Sequence, residues 1–293
     1  MNNILELQQV SKTFPKQKNM KSAFTLDRVS FSLPYGAILG FVGENGAGKT
    51  TTIGCILNTI VNKEGTIKLF GREMKDADTD LRERIGVVYD GDNFPSYWTP
   101  TKLSQIMQGF YKNWDASLFQ AYLDRFKLPA HQKIKHYSRG MSMKLAIAAA
   151  ISHHPQLLIL DEATSGLDPV MRDEMLDVFL EFVQEEDHSI LLSSHITSDL
   201  EKIADYIVFI HDGKIILTAS KNDLVYNYAV MRLRESQFQA LDPDDILAFR
   251  KRDLQIDVLV SNGKEAAGKY KDVVIDHTSI DEIMLLLIKG EQV

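Results

Sequence analysis

The chain has 293 residues, 44% hydrophobic and 25% charged, which is enough to bury a sizeable core in one large domain or two smaller ones. A formal charge of −7 speaks against duplex binding, where lysine and arginine must neutralise phosphates. The single cysteine, Cys55, excludes an internal disulfide and fits a reducing cytoplasm, and no apolar run reaches the roughly 18–20 residues that span a bilayer.

The opening MNNILELQQVSKTF lacks the basic and apolar segments of a secretory signal and reads as a first strand. β-rich runs at 4–10, 24–33, 38–41, 66–70 and 85–89, punctuated by polar residues or glycine, predict a sheet around one helix. Within it, GENGAGKT at 43–50 lies between apolar ILGFVG and the helical run KTTTIGCIL, the context a phosphate-binding loop requires. Gly43, Asn45, Gly46, Ala47 and Gly48 form a loop whose backbone N–H groups can converge on phosphate, next to the positive end of a helix. Lys49 would bridge the β- and γ-phosphates of a nucleotide, and the Thr50 hydroxyl would ligate Mg²⁺.

From 101 to 154 apolar residues recur three and four apart, as in Leu118, Tyr122 and Phe126, predicting a helical insert that begins, with the loop before it, at about 97. Beyond the insert a strand at 157–161, a helix from about Val170, a strand at 189–193 and a helix near Ser198 alternate as in a parallel α/β core. Runs at 206–210 and 214–218 flank His211-Asp212-Gly213, a hairpin signal, and the core ends near Ser220. The remainder, 221–293, holds candidate strands at 229–233, 254–260 and 273–275. A last helix follows, whose Ser279 and Glu282 have capping-box spacing.

Two later segments supply chemistry. In LLILDEATSGLD, 157–168, four aliphatics end in Asp161 and Glu162, so both carboxylates emerge at the carboxyl end of a buried strand, where open α/β sheets bind ligands. Asp161 suits Mg²⁺, and Glu162 suits a general base, a role worth on the order of 10²–10⁴ in rate. His195 ends SILLSSH, a second strand of that sheet, and could donate to the γ-phosphate or to the attacking water. By contrast His131, His136, His153 and His154 have no carboxylate or cysteine at metal-ligand spacing, so solvated or capping roles suit them better than zinc.

In this order the motifs resemble the nucleotide-binding subunit of ABC transporters over about 4–220, and the element that distinguishes the family is YSRGM at 137–141, similar to its LSGGQ signature. The resemblance implies an α/β P-loop NTPase of ABC type, with a mixed-sheet core, an antiparallel β part, a helical subdomain at about 97–154 and a small C-terminal α/β extension after 220. It implies ATP and Mg²⁺ as cofactors, with Phe14 stacking on adenine and Thr51 reaching the α-phosphate. Ser138 and Gly140 of the signature would contact the γ-phosphate held by a partner, and residues 165–168 would cross the dimer interface. The partner would be a second copy or another ABC ATPase, and a separate transmembrane permease would anchor both at the cytoplasmic face of the cell membrane, with no nucleic acid involved.

The implied function is ATP hydrolysis that powers a membrane transporter through ATP-driven dimer closure. The tail DEIMLLLIKGE and the SRGM signature are similar to bacterial ABC-2 type exporter ATPases of the acetoin-utilisation and antimicrobial-peptide kind. The alternative, an ABC-type ATPase acting on ribosomes or DNA, would bring tandem ATPase units, a coiled-coil insertion or basic extensions, and none is visible. Asp90 stands where the family usually has glutamine, and its carboxylate can still bind Mg²⁺ through water. Arg139 and Met141 replace a glycine and a glutamine of the signature. The aromatic loop NFPSYWTPT at 93–101 either grips the permease or packs the helical part.

Overall fold

The computed structural model describes residues 2–15, 24–62, 64–74 and 78–291, so the outer limits of the two expected regions, 1 and 293, lie outside the described residues. β1 (Asn3–Thr13) and β2 (Thr25–Pro34) pair antiparallel, and β3 (Ile38–Val42) leads through the glycine-rich loop into α1 (Lys49–Ile56). β4 (Glu64–Leu69) and β5 (Arg72–Glu73) complete a four-stranded antiparallel sheet in the order β2-β1-β4-β5. In β2, Val29, Phe31 and Leu33 alternate inward with more exposed partners, the period of a sheet with one buried face.

α2 (Thr79–Glu83) and β6 (Ile85–Val88) precede the helical region of α3 (Pro100–Phe110), α4 (Ala116–Arg125) and α5 (Arg139–Ile151). Each of these three helices starts on a side-chain cap, with Thr99, Asp115 and Ser138 accepting from first-turn N–H groups that would otherwise lack partners. α5 is buried almost throughout from Met143 to Ile151, which explains why its sequence is apolar all round.

β7 (Leu157–Asp161), α6 (Pro169–Phe182), β8 (Ser189–Ser194), α7 (Thr197–Ile203), β9 (Tyr206–His211) and β10 (Lys214–Ser220) then complete a six-stranded sheet ordered β10-β9-β3-β8-β7-β6. Five of its strands are parallel, and β10 turns back antiparallel on β9. Asp212 and Gly213 both have positive φ, 45° and 78°, as the tight hairpin turn requires. β3, β7 and β8 are buried at every position because both faces of this sheet are covered. Phe179, Leu160 and Leu192 pack on the α5 and α6 side, while Phe41, Ile159 and Leu191 pack toward the antiparallel sheet.

The C-terminal part contains α8 (Lys221–Tyr226), β11 (Ala229–Leu233), α9 (Glu235–Phe238), β12 (Ala248–Lys251), β13 (Ile256–Val260), α10 (Gly263–Lys269), β14 (Val274–His277) and α11 (Ile280–Lys289). Its four strands form an antiparallel sheet ordered β12-β13-β11-β14. β12, AFRK, carries no β-rich run and was not anticipated. Its pairing comes from β13 and from a bridge between Phe249 and Glu291. Ser279 caps α11 as expected, accepting from Glu282 N at 3.2 Å, but Glu282 does not close the capping box. Its carboxylate accepts from Arg232 Nη2 at 2.9 Å and from the Thr278 hydroxyl, because a guanidinium partner gives the stronger, charge-assisted bond. α11 rests on α7, where Thr197 Oγ1 donates to Asp281 at 2.6 Å and Ile280 N donates to Glu201 at 2.8 Å.

Candidate active site

The glycine-rich loop turns so tightly that a Cβ on Gly43 would stand 2.4 Å from the Ile210 carbonyl oxygen, and Gly48, at φ 119°, begins α1 in a conformation closed to other side chains. This curvature brings Lys49 back beneath the loop. Its side chain is only 6% exposed, and Nζ donates to the carbonyls of Gly43 at 2.7 Å and Glu44 at 3.3 Å while lying 3.1 Å from Glu162 Oε1. Glu162 Oε1 takes no hydrogen bond of good geometry, so the contact with Lys49 is one of charge. Two hydrogen bonds and one charge contact thus hold the ammonium, and phosphate oxygens could replace all three.

Asp161 and Glu162 follow one another at the end of β7 yet serve different neighbours. Thr50 Oγ1 donates to Asp161 Oδ2 at 2.8 Å, and Ser193 Oγ donates to Asp161 Oδ1 at 2.5 Å, which fixes the carboxylate plane. Glu162 sits at φ 54°, an uncommon conformation for a residue with a side chain that costs about 1–3 kcal/mol. The turn is held by Glu162 N donating to Ser193 O and by Ser165 N donating to Glu162 O, both at 3.0 Å. His195 Nδ1 lies 2.6 Å from Glu162 Oε2, so the base candidate is gripped between a lysine and a histidine from different elements.

These groups open on a cavity of about 940 Å³. Its polar wall holds Asn45, Gly46, Gly48, Lys49, Thr50, Thr51, Asp90, Asp161 and Glu162; its apolar end holds Phe14, Pro15 and Phe24. The Phe14 and Phe24 rings are 6.3 Å apart and tilted by 37°, and Phe14 N donates to Phe24 O at 2.9 Å. Gly43 and Ala47 support the wall from behind, Gly43 through its carbonyl and Ala47 from a buried position. For a divalent cation the donor set of Thr50, Asp161 and Asp90 is all hard oxygen, as Mg²⁺ prefers.

Asp90 is held by a turn in which Asn93 accepts from Tyr89 N at 2.9 Å and donates to the carbonyls of Tyr89 and Gly91. Its carboxylate pairs with Arg139 at 2.7 Å. Among the described residues, Ser138 and Gly140 do not line the cavity. Ser138 is exposed at the start of α5 and accepts from Met141 N at 3.2 Å, and Tyr137 beneath it donates to Pro129 O with its pKa pushed up to about 12 by burial. Phe24, Ser193 and Asn93 were not anticipated as site residues, since their roles depend on cross-strand and turn contacts that linear spacing does not carry.

Other expectations change. His153 is neither solvated nor a cap. It is 1% exposed, stacked on Tyr111 at 4.0 Å with Nε2 3.1 Å from Ile85 O, and burial lowers its pKa. His154 remains exposed beside Asp115. In the aromatic loop Phe94 and Trp98 pack against the core, while Tyr97 stays 67% exposed.

The family described as ABC transporter matches residues 26–165. A bacitracin transport ATP-binding protein of Bacillus licheniformis is 32% identical over 221 residues, covering 74% of this chain and 69% of that protein. A lantibiotic transport ATP-binding protein of Streptococcus pyogenes is 32% identical over 218 residues, covering 73% and 90%. Among solved structures, an ATP-binding subunit of an ABC transporter superposes with a TM-score of 0.65 at 25% identity, over 75% of this chain and 91% of that one. A dimeric ATP-binding cassette bound to ADP and Pi gives 0.65 at 19% identity over 74% and 98%, which bears on the fold. The glycine-rich loop and the two carboxylates lie within the matched residues 26–165: the chain belongs to the ABC transporter family, as an ATP-binding subunit that hydrolyses ATP to power transport.

Proposed function

We propose that this chain closes head to tail with a second copy, or with another ATPase of its kind, around two ATP molecules, and that a separate membrane-spanning permease at the cytoplasmic face turns closure into export. One observation carries the reading: the cavity gathers phosphate-binding and base groups, while Ser138, exposed at the start of α5, does not line it. A site built this way gains its last wall from another chain. Export is supported by relatives named for bacitracin and lantibiotic transport.

Adenine stacks on Phe14 at the apolar end that Phe24 also lines, and the triphosphate runs along residues 45–51, with Thr51 at the α-phosphate. Lys49 exchanges its two carbonyls and Glu162 for β- and γ-phosphate oxygens. Thr50 and Asp161 would hold Mg²⁺, with Asp90 reaching it through water. Bound there, the cation screens phosphate charge. Released from Lys49, Glu162 accepts the proton of the attacking water, while His195 orients it and reaches the γ-phosphate. Domain limits near 220 and a docking face for the permease around Tyr97 complete the proposal; Trp98, packed inward, supports that face from below.

The test is Glu162→Gln. ATP turnover should fall on the order of 10²–10⁴-fold while Mg·ATP binding persists; an unaltered rate removes Glu162 as the base.

A further inference from the structure

Asp90 and Arg139 lie 49 residues apart in sequence, and Arg139 Nη2 donates to Asp90 Oδ1 at 2.7 Å. Both ends of the pair are fixed in functional places. Asp90 lines the nucleotide cavity from the turn that Asn93 closes. Arg139 is the first residue of α5, next to Ser138. Its guanidinium also lies over Gly166, where a Cβ would stand 3.0 Å from Cζ and Nη1, and Gly166 belongs to the loop that follows Glu162. One side chain therefore touches the cavity rim, the loop after the base and the helix end that bears the signature serine.

Charge gives the contact a task. Among the described residues the cavity wall already contains Asp27, Asp161, Glu162 and Asp212; Lys49 lies against Glu162 and Lys214 against Asp27, while no lysine pairs with Asp161 beside the phosphate-binding loop. An unpaired Asp90 would add a further negative charge to a wall that must accept a polyphosphate. The guanidinium offsets that charge from outside the cavity, without occupying the phosphate path.

We propose that Arg139 is a positioning residue acting within its own chain: through Asp90 it offsets charge at the rim of the nucleotide cavity and keeps the start of α5 aligned with that rim. The purpose of the alignment rests on the head-to-tail reading above, but the charge effect belongs to a single chain. The pair is half-exposed, 53% and 50%, so its effect is modest and salt-sensitive.

The experiment measures ADP binding to the full chain without divalent metal, at protein concentrations where it is monomeric, so neither dimerisation nor hydrolysis contributes. Arg139→Gln should raise the Kd about three- to fivefold, an effect that shrinks in 1 M salt. Arg139→Lys, which keeps the charge, should restore most of the affinity. Asp90→Asn should bind ADP at least as well as the parent, and adding Arg139→Gln to it should change nothing further. An unchanged Kd in Arg139→Gln, or an equal loss in the Asp90→Asn background, overturns the proposal. A chain that passes this test yet never dimerises with ATP would instead overturn the head-to-tail reading.

Discussion

Lys49 in the nucleotide site and Arg232 in the C-terminal sheet both face carboxylates, and they face them differently. Arg232 spends each arm on a separate carboxylate: Nε on Asp276 at 2.9 Å, Nη1 on Asp257 at 3.0 Å and Nη2 on Glu282 at 2.9 Å. The hydrogen bonds it donates to Asp276, then to Glu282 and Asp257, hold its pKa well above the ordinary range. Lys49 leans on two loop carbonyls and on a Glu162 oxygen that takes no well-formed hydrogen bond, and Glu162 itself sits in a strained backbone conformation. A guanidinium whose three arms are all hydrogen-bonded to carboxylates joins strands; an ammonium with replaceable partners at a cavity is poised to exchange them.

The contrast makes opposite demands on mutation. Against the 10²–10⁴-fold loss of turnover expected for Glu162→Gln, Arg232→Met should leave turnover per folded molecule nearly unchanged and lower stability by about 2–4 kcal/mol, read from urea unfolding. The loss comes chiefly from Asp257, 1% exposed, which among the described residues would keep only Arg252 as its ionic partner. If Arg232→Met instead cut turnover without moving the unfolding midpoint, the division between locking and poised clusters would fail.

His153 provides the smallest and most pH-dependent effect, since it is a buried titratable group at which burial outweighs the neighbouring Glu83 carboxylate. Burial favours its neutral form and lowers its pKa below the ordinary 6.5. As pH falls through about 6.5 the unfolded chain takes up a proton that the folded chain refuses, so stability is lost until the buried ring also titrates. His153→Gln, which cannot titrate, should flatten that part of the stability profile between pH 7 and 5; an identical slope in both proteins would show that His153 takes up its proton equally in the folded and unfolded chains, so that burial does not lower its pKa.

The parts that were legible in sequence are those whose chemistry is local. A glycine-rich turn between strand and helix, two acids after four aliphatics and a histidine closing a strand each carry their geometry within about ten residues, and Lys49, Glu162 and His195 do converge. Ser193 looked like an interior strand residue, because its grip on Asp161 needs β7 and β8 in register. Phe24 joins Phe14 only once β1 and β2 pair, and Asp90 meets Arg139 only when the helical region folds back on the core. Glu282 had the spacing of a capping box but a stronger partner in Arg232, which no local pattern could reveal. The absence of carboxylate or cysteine at ligand spacing assigns His153 a solvated or capping role, whereas its ring stacks on Tyr111 behind β6, a contact that depends on the helical region packing on the sheet.

The central claim is that one chain's Ser138 end completes the site of another. Light scattering of Glu162→Gln with Mg·ATP tests it most directly: the mass should double on adding nucleotide, and Ser138→Arg in the same background should keep the chain monomeric. A mass that stays at one chain with saturating ATP, or a doubling indifferent to Ser138→Arg, would contradict it.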